Sequence, residues 1–186
     1  TQHHEKEANE LQIDSAAVAR LKEIQKTIEN NRTLIFVNTR SIAEILGSRL
    51  MKLDPKIAVH HGSLSKEVRV QLEDDFKNGK LHALVATSSL ELGIDIGDIS
   101  HVIQYMSPRQ VSRLVQRVGR SGHTIKGTSK GTIICADPDD VFEAHALLKL
   151  IEEGQLEEQH ICENALDVLA HQIAGILIER EKDVST

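Results

Sequence analysis

The sequence predicts an α/β domain in which helices cover both faces of a parallel sheet. Two observations carry this. Short apolar, β-branched runs alternate with longer amphipathic stretches between Ser15 and Glu153, and strands separated by helices pair in parallel because parallel neighbours need a crossover. The polar segments Asn38-Thr39-Arg40, His61-Gly62-Ser63 and Thr87–Asp95 each come after an apolar run, which is where such sheets carry their ligand loops.

The elements are taken in chain order. Asp14 or Ser15 can cap a helix over 15–30, where Ala17, Leu21, Ile24 and Ile28 recur at helical spacing. Leu34–Val37 is a strand. Ser41 can cap a helix running to about Leu53, which Asp54-Pro55 ends. Ile57–His60 is a second strand, and Ser65 opens a helix that Asn78-Gly79 closes. Leu81–Ala86 and His101–Tyr105 are the third and fourth strands. Pro108 suits the start of a helix over Arg109–Gly119. Gly131–Ala136 is a fifth strand, Asp137–Glu153 a helix, and Asn164–Ile178 a further helical segment with Asn164 as cap.

The 186 residues suit one domain, over 1–153, with a small addition over 154–186. The net charge of −6 argues against a nucleic-acid partner, but its distribution argues the other way. Between Asp98 and Asp137 there is no carboxylate, while Arg109, Arg113, Arg117, Arg120, Lys126 and Lys130 lie there. A local basic stripe matters more to phosphate than the total. Aromatic residues are scarce: Phe36, Phe76, Phe142 and Tyr105. A nucleic acid would thus be gripped by its backbone rather than by stacked bases. Cys135 and Cys162 form no CxxC pattern, which reads as two inert thiols in a reducing, cytoplasmic setting rather than a disulfide or zinc site. No apolar run is long enough to span a bilayer, and Thr1–Glu10 is too polar for a signal peptide. The chain begins with Thr and reads as a piece of a longer protein.

The chemistry concentrates in two motifs, LVATSSLELGIDIGD (Leu84–Asp98) and QRVGRSGH (Gln116–His123). A loop offering Thr87, Ser88, Glu91 and Asp95 beside a helix offering Gln116, Arg117 and Arg120 can meet a nucleotide and a nucleic-acid backbone together. Arginine suits a phosphoryl group because its planar fork makes two charge-assisted hydrogen bonds. These motifs resemble motifs V and VI of superfamily 2 helicases, in particular the large helicase-related (Lhr-type) family. LIFVNTR (Leu34–Arg40) is similar to motif IV, and HHGSLSKEVRVQLEDDFKNG (His60–Gly79) to the family's next segment. The four agree in order and spacing across roughly Thr33–Ala136.

The resemblance implies the second of two RecA-like domains. It also implies roles. Arg120 would reach the γ-phosphate of ATP across a cleft as an arginine finger. Arg117 would orient acidic residues of the first domain, with Gln116 supporting it. Asp95 would accept from the ribose hydroxyl, Gly93 would let the backbone approach the nucleotide, and Glu91 would lie near the same cleft, or form a salt bridge within the domain. Thr87 and Ser88 would bind a nucleic-acid phosphate, with Asn38, Thr39, Arg40, Gly62 and Ser63 adding contacts. Where many relatives have a second finger arginine, this chain has His123, as Lhr-type proteins do. The resemblance further implies 3′-to-5′ translocation on single-stranded DNA, separation of duplexes or RNA–DNA hybrids, a DNA-repair setting, and a winged-helix domain opening at 164–178, unless that helix packs on the sheet.

A phosphate cradle GxxxxGK[ST] is absent, and so is a DExH or DExD run. ATP and Mg²⁺ are therefore expected to be held largely by the first RecA-like domain, and this chain alone is expected to be inactive. His60 and His61 are adjacent on a strand and point to opposite faces, so they are not expected to share a metal. Three alternatives stay open: a Ski-type RNA helicase domain, a catalytically silent RecA-like module that binds nucleic acid or a partner, and a free-standing regulatory domain.

Overall fold

The computed structural model describes residues 14–91, 95–121 and 128–155. Gly93, His123, Cys162 and the helix expected over 164–178 lie outside them. The chain divides into two units, Thr1–Leu156 and Glu157–Thr186, and every element below belongs to the first.

In chain order the elements are α1 (Ser15–Asn30), β1 (Thr33–Phe36), α2 (Arg40–Leu53), β2 (Ile57–His60), α3 (Lys66–Lys77), β3 (Ala83–Ala86), a 3₁₀ turn (Ser88–Leu90), β4 (His101–Tyr105), α4 (Val111–Val118), β5 (Gly131–Ile134) and α5 (Pro138–Glu152). The five strands form one parallel sheet in the order β2-β3-β1-β4-β5. It is the parallel α/β architecture expected from the alternation, and the RecA-like one that the resemblance implies.

Strand periodicity divides the core. Ile35, Val37, Val85 and Ile103 point to one face and meet Leu21, Ile24 and Ile28 of α1 and Ala43, Leu46 and Leu50 of α2. Leu34, Phe36, Leu84 and Val102 point to the other face. There they meet Phe76 of α3 and also Leu90, Ile96 and Ile99, so the described part of the long β3–β4 connection packs apolar residues on the sheet. Val111 and Leu114 of α4 pack on Leu147 of α5.

The caps explain where the helices begin. Asp14 accepts the Ala17 N–H at 2.6 Å and Asp137 the Asp140 N–H at 2.9 Å. Helix α2 starts two residues earlier than its composition suggests: Thr39, not Ser41, is the cap, accepting from the Ile42 N–H at 3.3 Å. Helix α4 starts later than expected. Arg109 has φ 64°, a left-handed conformation no helix admits, so Pro108 precedes a turn rather than opening the helix. Ser107 Oγ accepts the Arg109 N–H at 3.2 Å and fixes that turn. Strands β3 and β5 are shorter than their apolar runs.

Strand register sets the site. His60, Ala86 and Phe36 are successive partners across β2, β3 and β1. The loops after these three strands therefore leave the sheet at one level, with neighbouring strands about 5 Å apart.

Candidate functional site

Arg117 is the centre of a polar network at the carboxyl edge of the sheet, and it is 2% exposed. Its Nε and Nη2 donate to Glu91 Oε1 at 2.8 and 2.6 Å. Its Nη1 donates to Gln104 Oε1 at 2.8 Å and to Asn38 Oδ1 at 3.2 Å. The guanidinium lies 5.0 Å from the centre of the Phe36 ring, a cation–π distance. Burial pushes the Arg117 pKa down and the Glu91 carboxylate opposes this. Glu91 is itself mostly buried, with Arg113 Nε at 4.0 Å.

The resemblance implies acidic partners for Arg117 on another domain. Within this domain Arg117 is paired with Glu91, because α4 sets it above the sheet opposite the β3–β4 connection. Asn38 is drawn in as well. Its Oδ1 accepts from Arg117, and its Nδ2 donates to the Ser107 carbonyl at 2.7 Å. The Ser107 N–H in turn donates to Asp140, whose second carboxylate oxygen accepts the Ala136 N–H at 2.8 Å. A polar chain thus runs from Glu91 through Arg117, Asn38 and Ser107 to Asp140, across the carboxyl ends of the strands. Gln104, Ser107 and Asp140 escaped the sequence reading. Gln104 left a signal, being a polar residue inside the apolar run HVIQY.

Next to this chain opens a cleft of about 620 Å³, lined among others by Glu91, Asp95, Gln116, Gly119 and Arg120. Arg120 is half-buried. Its Nε donates to the Glu91 carbonyl at 3.0 Å, and burial lowers its pKa. Gln116 is exposed. Asp95 is exposed; Oδ1 accepts the Gly97 N–H at 3.1 Å, and Oδ2 accepts from Lys77 Nζ at 2.6 Å. That ion pair raises the Lys77 pKa.

The other residues singled out from the sequence fall on the loops after β1, β2 and β3. Thr39 spends its hydroxyl on the α2 cap, and Arg40 is the exposed first residue of that helix. Gly62, Ser63 and Ser88 are exposed, and Thr87 is half-buried, its N–H donating to the His60 carbonyl at 3.4 Å. The two histidines diverge. His60 bonds Glu73 of α3 at 2.8 Å, and His61 bonds Glu44 of α2 at 2.6 Å. Among the described residues no group of three His, Cys, Asp or Glu side chains is placed to hold a metal, and no helix is long and apolar enough to cross a membrane.

The helicase conserved C-terminal domain family matches residues 16–124. The ATP-dependent helicase Lhr-Core of Methanothermobacter thermautotrophicus is 46% identical over 164 residues, 84% of this chain and 19% of that protein. Lhr-Core of Methanocaldococcus jannaschii is 44% identical over 163 residues, 87% of this chain and 19% of that protein. Among solved structures, the Mycobacterium smegmatis helicase Lhr bound to ssDNA and AMP-PNP is 37% identical with a TM-score of 0.78, over 86% of this chain and 22% of that one. The chain thus spans about a fifth of the length of the curated relatives it matches. The chain belongs to the helicase conserved C-terminal domain family, as a superfamily 2 domain of the Lhr type.

Proposed function

We propose that residues 1–153 act as the second RecA-like domain of an ATP-dependent, 3′-to-5′ Lhr-type DNA translocase in the cytoplasm. In this reading residues 154–186 are a linker and the start of a winged helix or a terminal helix. The observation that carries the reading is the pairing of a half-buried arginine, Arg120, with Asp95 across one open cleft, beside three loops that leave the sheet at one level. Arg120 is the arginine finger for a γ-phosphate presented by the first RecA-like domain. It is only part-hydrated, so it gives up little water on meeting the phosphoryl group. Asp95 accepts from the ribose hydroxyl. Its present partner, Lys77, is an exposed ion pair, and such pairs are weak enough to yield to a ligand. Gln116 lines the nucleotide edge; Gly93, expected to serve it, lies outside the described residues. Arg117 and Glu91 act from behind, holding the connection that carries Arg120's backbone partner.

In this reading Mg²⁺ is held by the first domain together with the ATP phosphates, and this chain alone hydrolyses ATP negligibly; among the described residues no group of three His, Cys, Asp or Glu side chains is placed to hold a metal. Single-stranded DNA, or the DNA strand of an RNA–DNA hybrid, lies over Arg40, Ser63, Thr87 and Ser88, with Gly62 allowing close approach and Asn38 and Thr39 shaping the loop. These groups meet phosphate and sugar, which fixes register without reading bases. The M. smegmatis Lhr helicase, which binds ssDNA and AMP-PNP, supports both surfaces.

The test is nucleic-acid-stimulated ATPase of the full-length protein and of this chain alone, each with and without Arg120→Ala. The full-length protein is active and loses about 10³-fold or more in turnover on substitution, while this chain alone is silent. Activity in the isolated chain overturns the half-site reading. A full-length protein with no ATPase is a silent binding module, and one stimulated by RNA alone is a Ski-type enzyme.

A further inference from the structure

His60, the last residue of β2, is fully buried, and both of its ring nitrogens are engaged. Nε2 meets Glu73 Oε1 at 2.8 Å and Nδ1 meets Ser89 Oγ at 2.9 Å. Its carbonyl accepts the Thr87 N–H at 3.4 Å and lies 3.3 Å from Ser89 Oγ. One residue therefore joins three elements: β2, helix α3 through Glu73, and the 3₁₀ turn after β3 through Ser89.

Those elements carry two loops of the proposed track that follow neighbouring strands. Gly62 and Ser63 lie just beyond His60 and His61, and Thr87 and Ser88 directly precede Ser89. The chemistry of the joint is directional. Burial favours the neutral imidazole and lowers its pKa despite Glu73. A neutral ring beside a carboxylate donates from Nε2 to Glu73, which leaves Nδ1 as an acceptor. The Ser89 hydroxyl then supplies the hydrogen, and the turn is held in one orientation. An apolar side chain would fill the space without desolvating a histidine and a carboxylate, so stability alone does not account for the arrangement. The neighbouring pair, His61 with Glu44, makes a control: it is also buried on the histidine side but reaches α2.

We propose that His60, with Glu73 and Ser89, is a positioning residue for the nucleic-acid track, holding the Thr87–Ser88 turn at a fixed spacing from Gly62–Ser63 so that one strand meets both at once. This rests on the reading of those four residues as nucleic-acid contacts.

The test uses the full-length protein, with ATPase measured against the concentration of a single-stranded oligonucleotide. Ser89→Ala leaves the packing nearly intact. It raises the oligonucleotide concentration for half-maximal ATPase about fivefold, the effect of one mis-set hydrogen bond, with ATPase at saturating oligonucleotide within about twofold. Ser89→Thr, which keeps the hydroxyl, restores the wild-type value, and Glu44→Gln does not move it. An unchanged half-saturation in Ser89→Ala overturns the proposal, as does a loss confined to the saturated rate. A wild-type protein whose ATPase ignores nucleic acid removes the underlying reading itself, and the proposal falls with it.

Discussion

At the scale of single residues, the polar edge is organised by the charge of Arg117. An arginine does not shed its proton inside a protein, so a guanidinium that is 2% exposed must be answered by a fixed anion, and Glu91 is that anion. Glu91→Gln keeps the shape and removes the charge. It is expected to cost about 3 kcal/mol, as when one partner of a buried ion pair is deleted, measured by urea denaturation. A loss below about 1 kcal/mol would mean the pair behaves as a surface bridge. Among the described residues, two histidines contribute to the response to mild acid. Burial lowers the pKa of His60, against the Glu73 carboxylate and with help from Arg69 and His61; burial and Lys130 lower that of His101. The unfolded chain takes up these protons near the ordinary value of 6.5, before the folded chain does. Stability is therefore complete above that pH and falls as pH drops through it. Urea midpoints measured from neutral pH downward should decline on this side, and His101→Gln should flatten part of the slope. A profile level across the histidine range would contradict the lowered pKa values of both rings.

At the scale of elements, α2 sits against β2 through a point where only glycine fits. A Cβ on Gly47 would lie 2.1 Å from Val59 Cγ2, and a β-branched valine has little rotamer freedom with which to move away. Gly47→Ala gains about 1 kcal/mol of helix propensity, but overpacking costs about 1–3 kcal/mol, and a contact this close puts overpacking ahead. The single change should lower the urea midpoint, and Val59→Ala should recover much of the loss. A strictly additive double mutant would place the strain elsewhere. The same packing shows what the sequence could reveal. Periodicity marked α1, β2 and β4 because each has an apolar face of the right spacing. The start of α4 was hidden, because nothing in Ser107-Pro108-Arg109 announces a left-handed arginine. The cap of α2 moved from Ser41 to Thr39 because either hydroxyl can serve and strand register decides between them. In the site, the motif residues were legible as chemistry, whereas the inward turn of Arg117 depends on which strands are neighbours. Gln104 reaches it from β4 and Asn38 from beyond β1, a pairing that spacing along the chain does not encode.

At the scale of the whole molecule, charge is divided between the two surfaces in a way the net value of −6 hides. The basic stretch between Asp98 and Asp137 suggested a stripe for nucleic-acid phosphate. In the folded chain two of its arginines are turned elsewhere: Arg117 into the interior, Arg120 to the cleft that Asp95 also lines. The loops after β1, β2 and β3 present hydroxyls, backbone and the exposed Arg40. Hydroxyl and amide contacts release no counterions, whereas each cation on a single-strand phosphate contributes about 0.7 to the slope of log affinity against log salt. In the full-length protein, Arg40→Ala should therefore reduce the magnitude of that slope by about 0.7 and weaken binding to unrelated sequences alike. Arg120→Ala should leave slope and affinity for single-stranded DNA unchanged without nucleotide while abolishing turnover. The measurement is an oligonucleotide titration over a salt series without ATP. If Arg120→Ala flattened the slope as much as Arg40→Ala, the motif VI arginine would be a phosphate contact on the track, and the two surfaces would not be separate. If neither changed it, the cations that grip DNA would lie on other parts of the protein, and this domain would hold its strand by hydrogen bonds alone.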